Sequence, residues 1–116
     1  MNHHKINYVE FPTTDIKAAK DFFSQVFDWK FEGFGAEYTA FSDAGIDGGF
    51  FQSDQSVSTE NGSALVVLYS EALEDTQTKI EQAGGSIIKP TFSFPGGRRF
   101  HFSDPTGNEY AVWSES

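Results

Sequence analysis

KINYVEFPTTDIKAAKDFFSQVFD, residues 5–28, decides the fold. Its opening, KINYVEF, alternates and is rich in β formers, which predicts a strand over 5–11 ended by Pro12. Asp15 then stands where a helix needs its N-terminal cap. From there apolar side chains fall at 16, 19, 22, 23, 26 and 27, the period of an amphipathic helix with one buried face. Outward from that helix, 29–34 and 36–42 read as short strands broken around Gly33 and Gly35. Residues 43–48 read as a turn and 49–53 as a further strand. The next stretch, SDQSVSTENGS (53–63), is polar and aperiodic, as an exposed loop would be.

The second half repeats the plan. ALVVLYS (64–70) predicts a strand, and EALEDTQTKIEQA (71–83) a helix closed by Gly84 and Gly85. SIIKP (86–90) predicts a strand ended by Pro90, and TFSFPGG (91–97) a loop. Strands over 98–103 and 109–114 flank a turn at Asp104–Asn108. An offset of 57 places Leu65 on Tyr8 and superposes the two helices. An offset of 61 places Phe102-Ser103-Asp104 on Phe41-Ser42-Asp43. A duplicated β-α-β-β-β module is the reading that fits the shared tripeptide and the order of elements. The 116 residues suit one domain, module one over about 1–55 and module two over about 63–116.

Composition narrows the function. With no cysteine there is no disulfide, iron–sulfur cluster, thiolate zinc or cysteine nucleophile. Eight Lys and Arg against 17 Asp and Glu give a net charge of −9, which disfavours nucleic acid and anionic membrane surfaces as partners. No apolar run is long enough for a signal peptide or a membrane span, so a cytoplasmic protein is expected. Thirteen Phe supply core and suit the walls of a ligand pocket.

EFPTTDIKAAKDFFSQVFDWKF (10–31) resembles the opening of the vicinal oxygen chelate superfamily, which includes glyoxalase I, bleomycin resistance proteins and extradiol dioxygenases. IEQAGGSIIKP followed by PGGRRFHFSDPTGNEYAVW resembles its second module. The resemblance implies an α+β fold of two βαβββ modules, with curled mixed sheets around a concave cavity and helices outside. It also implies a homodimer.

Members that do metal chemistry place four His, Glu or Gln ligands on the first and last strands of the modules. Carried over one by one, those positions fall on Tyr8, Phe50, Leu65 and Ala111. Three of the four have no donor atom, so no metal and no cofactor is expected.

The remaining polar candidates are few. Glu10 lies two residues from Tyr8 and so shares its strand face, where Arg99 or His101 is expected as its partner. His3 and His4 read as exposed terminal residues. Gly48-Gly49 and Gly96-Gly97 lack the strand–loop–helix context of a phosphate loop and read as turns. Parity places Tyr8, Glu10, Phe50, Leu65, Val67, Arg99, His101, Ala111 and Trp113 on one concave ligand-binding surface. The opposite parity, Val9, Phe11, Val66, Leu68, Tyr110 and Val112, then packs beneath the helices. The expected function is metal-free binding of a small aromatic or anionic molecule. The alternative is a glyoxalase-like lyase or isomerase with Glu10 and His101 as acid–base groups, or with an atypical metal site.

Overall fold

The computed structural model describes residues 1–116. Strand β1 (Tyr8–Thr13) carries Pro12 within it rather than ending there. An edge strand tolerates that, and β4 (Asp47–Gln52) is the only strand paired with β1. Helix α1 (Ile16–Phe27) begins where Asp15 Oδ1 accepts the Ala18 N–H at 3.0 Å. It ends at Asp28, whose left-handed backbone (φ 61°) turns its N–H back to the Phe23 and Ser24 carbonyls. Strands β2 (Lys30–Gly33) and β3 (Tyr38–Ser42) complete a sheet of order β1-β4-β3-β2.

The second half has the same topology. It comprises β5 (Val66–Tyr69), α2 (Leu73–Gln82), β6 (Ser86–Phe94), β7 (Gly97–Ser103) and β8 (Glu109–Ser114), in the order β5-β8-β7-β6. In each sheet the first strand pairs in parallel with the last, and the other pairs are antiparallel. The α+β fold of two βαβββ modules is therefore present. As at Pro12, a boundary differs from the sequence reading at Pro90. β6 passes through Pro90 and continues to Phe94, over residues predicted as loop. Its register slips between Ile87 and Lys89 and again between Lys89 and Phe92, so Pro90 sits in a bulge and has no ladder partner.

The helix faces of the two sheets share one core. Phe23 of α1 lies 5.6 Å from the Phe50 ring of the first sheet and 5.1 Å from Tyr110 of the second. Phe22 lies 6.0 Å from Phe102. Phe11, Tyr110 and Val112 belong to the same cluster, with Val9, Val66 and Leu68 packed against it. Each fully buried ring contributes about 1.5–3 kcal/mol relative to exposure, so α1 helps to join the halves.

The Asp104–Asn108 turn ties them further. The Asn108 side chain donates to the Pro12 carbonyl at 2.7 Å and accepts the Val57 N–H at 2.8 Å. Buried Asp104 accepts from the N–H and hydroxyl of Thr106, the Asn108 N–H and the Tyr110 hydroxyl. Burial pushes its carboxyl above the usual range even though these bonds pull the other way.

Candidate functional site

With the helices covering one face of each sheet, the other face is left for a ligand. On the first sheet that face holds Tyr8 and Glu10. The Tyr38 hydroxyl donates to Glu10 Oε2 at 2.9 Å and lies 2.6 Å from the Tyr8 hydroxyl, so the three form one chain. Partial burial, then the two neighbours, pushes the Tyr38 phenol well above its usual value. Gly49 lies under this chain, where a Cβ would collide with the Tyr38 hydroxyl.

Phe50 is not on this face. It is fully buried against Phe11 and Phe23, on the helix side. The register explains the correction. Glu10 pairs with Gly49 in the first module, as Val67 pairs with Ala111 in the second. The true partner of Ala111 is therefore Gly49, because the last turn of module two is one residue longer than that of module one. A slip of one residue reverses the face of a strand residue.

The second sheet holds the larger group. Val67 and His101 both pair with Ala111, and Arg99 pairs with Trp113, so these five side chains share one face. Leu65 lies just before β5, half-buried and in phase with Val67. Val67, Phe94, Arg99 and Trp113 wall a shallow hollow of about 230 Å³. Trp113 meets Tyr69 edge-on at 5.0 Å and Phe94 at 6.1 Å. The Arg99 guanidinium lies 5.3 Å from the Phe92 centroid and 5.9 Å from that of Phe94.

His101 has a partner that parity alone did not single out. Its Nδ1 is 2.8 Å from Glu109 Oε2, and both side chains are more than nine-tenths buried, at 7% and 6% exposure. Glu109 also accepts from the backbone N–H and the hydroxyl of Thr59, so the 53–63 segment closes over it. Burial acts to raise the Glu109 carboxyl, but the bonds from His101 and Thr59 outweigh it and hold it below the usual carboxylate range. Acceptor-only Glu109 fixes the Nδ1 proton. Nε2 is buried and has no partner, and the same is true of Arg99 Nε.

The expected pairing of Glu10 with Arg99 or His101 is not found. Glu10 is held by Tyr38 and His101 by Glu109. Arg98, next to Arg99, is engaged by Glu74 and by the Ser116 carbonyl. His3 and His4 are exposed at the N-terminus. Sequence reasoning missed Tyr38, Phe92, Phe94 and Glu109. Glu109 was within reach, being two residues from Ala111 on the same strand face. Phe92 and Phe94 were hidden by the loop reading of 91–97.

A four-ligand metal site does not fit these residues. Corrected for register, its positions are Tyr8, Gly49, Leu65 and Ala111, of which only Tyr8 carries a donor, and that hydroxyl is bonded to Tyr38. No three His, Cys, Asp or Glu side chains come together elsewhere.

Known proteins place the fold. A structure of a glyoxalase/bleomycin resistance protein/dioxygenase family enzyme from Burkholderia phytofirmans superposes with a TM-score of 0.80 at 17% identity, covering 95% of this chain and 98% of that one. The fosfomycin resistance protein FosX of Listeria monocytogenes superposes at 0.78 with 14% identity, covering 97% and 93%. In sequence, the chain is 26% identical over 127 residues to CFP32 of Mycobacterium bovis, whose name includes the word glyoxylase. That match covers 92% of this chain but 44% of the relative, so the chain spans less than half the length of the curated proteins it matches. Residues 5–112 match the family profile, and the chain belongs to the Glyoxalase/Bleomycin resistance protein/Dioxygenase superfamily.

Proposed function

We propose that this protein binds a small molecule on the open face of its second sheet without a metal ion. The observation that carries this is the hollow between Val67, Phe94, Arg99 and Trp113. Aromatic and aliphatic walls surround a single cation there, which is how small-ligand sites are commonly built. The four positions that hold a metal in relatives offer one hydroxyl, so binding rests on the side chains themselves. FosX, named as a resistance protein, shows that the fold serves resistance functions in at least one relative.

A homodimer in the cytoplasm completes the reading. Edge strands β1 and β5 have no outer partner, and together they border an apolar cleft of about 350 Å³. The open face of the first sheet is acidic on balance, with Glu10, Glu32 and Asp47 against Lys30, while that of the second carries Lys89 and Arg99 against Glu109. Two copies can place these faces in register. Sedimentation velocity is expected to return a dimer mass, and a monomer at micromolar concentration overturns that part.

The test of binding joins elemental analysis of untagged protein with titration of small aromatic compounds, followed by tryptophan fluorescence. Binding without stoichiometric metal supports the reading. Near one metal per chain, lost on mutating Tyr8 or Glu10, overturns it. A second reading, acid–base catalysis by an isomerase or lyase, has the His101–Glu109 pair in its favour. Glu10 makes no contact with that pair, so His101 would carry the proton transfer. Enolisation of a bound carbonyl compound, read as solvent deuterium uptake and lost in His101→Gln, would favour it.

A further inference from the structure

The open face of β6 and β7 gathers positive charge in a chain of net charge −9. Lys89 pairs with His101, and Phe92 with Arg99, so a step of three residues along β6 matches a step of two along β7. Without that bulge the odd spacing would put Lys89 and Phe92 on opposite faces. With it, both stand on the face of Arg99 and His101. Lys89 Nζ lies 4.6 Å above the Phe92 ring, which the Arg99 guanidinium also approaches. Neither Lys89 nor Arg99 makes an ion pair, although acidic residues outnumber basic ones two to one. Glu109 is the carboxylate among them, and His101 and Thr59 already occupy it.

Two buried nitrogens on this face lack partners, Arg99 Nε and His101 Nε2. Nε of arginine is always a donor, and Nε2 becomes one when an anion bound beside it holds a second proton on the ring. Buried donors are normally satisfied, and leaving one unpaired costs free energy. A group that offers only acceptor oxygens and a negative charge satisfies both donors and neutralises the local excess.

We propose that Arg99 and His101, with Lys89 beside them, form an oxyanion subsite for the carboxylate of a small aromatic acid. Its ring rests in the hollow on Phe94, Trp113 and Val67. The flat walls favour an aryl group, and two planar donors suit a carboxylate. This rests on the binding reading above and adds the ligand class. Glu109 is a positioning residue, since it reaches the ligand only through the His101 ring.

Isothermal titration calorimetry of the full chain tests it. The probes are benzoate, phenylacetate and 3-phenylpropionate, each set against its own carboxamide. The acid is expected to bind at least tenfold more tightly than the amide in one or more pairs. Arg99→Gln is expected to collapse that ratio to within twofold, and Lys89→Met, which disturbs no buried pair, to lower it. In the nitrogen-detected NMR spectrum of the wild type, the acid and not the amide is expected to shift His101 Nε2. Equal binding of acids and amides overturns the subsite and leaves the binding reading intact. A ratio that survives Arg99→Gln also overturns it. If no probe of either kind binds, both readings fall.

Discussion

Phe41-Ser42-Asp43 and Phe102-Ser103-Asp104 are the same three residues at equivalent ends of the two modules, yet the structure treats them differently. Asp43 is exposed in a left-handed turn (φ 58°) and accepts no side-chain bond. Asp104 is buried and accepts four hydrogen bonds, one of them from the Tyr110 hydroxyl in the core. The residues that follow make the difference. Pro105-Thr106-Gly107-Asn108 closes a turn on Asp104 and sends Asn108 across to Pro12, whereas Ala44-Gly45-Ile46 is one residue shorter and offers no polar side chain. The open faces diverge in the same way. The first sheet carries an exposed Tyr8–Tyr38–Glu10 chain. The second carries a buried imidazole–carboxylate pair under aromatic rings and free cations. The two modules share a topology, and the buried polar pair lies in the second.

Several substitutions break or sharpen that contrast. The largest effect is expected from Glu109→Ala, which strands His101 and the Thr59 donors in the interior and costs about 3–5 kcal/mol by chemical denaturation. The milder Glu109→Gln reports the sign of the pH dependence. The folded Glu109 carboxyl lies below its ordinary value of 4.5, so its contribution is complete above that pH and is lost as pH falls through the folded value. The stability gap between wild type and Glu109→Gln should therefore narrow below pH 4.5. Asp104 works in the opposite direction. Its folded carboxyl lies above 3.8, so its own contribution declines as pH rises through that window.

Next come the twin aspartates. Asp104→Asn is expected to cost about 1–3 kcal/mol, since an amide replaces an acceptor that serves four donors. Asp43→Asn should stay within about 0.5 kcal/mol, because asparagine tolerates the left-handed backbone. Equal losses at the two positions would show that the tripeptides are structurally equivalent after all. Gly49→Ala should cost about 1–3 kcal/mol by driving a methyl into Tyr38, and adding Tyr38→Ala should return part of the loss. On the exposed chain, Glu10→Gln should change stability by less than about 1 kcal/mol. A larger loss there would mean that a partner copy buries the first face.

Much of the architecture was legible in the sequence because local periodicity carries it. The apolar spacing of 16–27, the cap at Asp15 and the alternation in 109–114 each specify an element within a few residues. Core membership followed from parity, as Phe11, Tyr110 and Val112 show. Proline misled twice. Pro12 and Pro90 look like strand ends, but both lie on edge strands, where a missing N–H leaves no interior ladder broken. That a strand is at an edge is a property of the sheet and is not written in the strand.

The site was less legible for the same reason. Sequence alone determined that Val67, Ala111 and Trp113 alternate onto faces of their strands, that the chain is acidic, and that three of the four expected metal-ligand positions carry no donor atom. Tertiary structure decided which residue of β4 matches Ala111, because one extra turn residue shifts the register and turns Phe50 into the core. It decided that a bulge swings Lys89 and Phe92 onto the face of Arg99. It also decided that His101 is held by Glu109 under a loop from the middle of the chain, a contact across 50 residues for Thr59 and eight for His101. Alternation within a strand is local geometry and repeats every two residues. Register, bulges and loop closure depend on how separate strands meet, and only the folded chain fixes that.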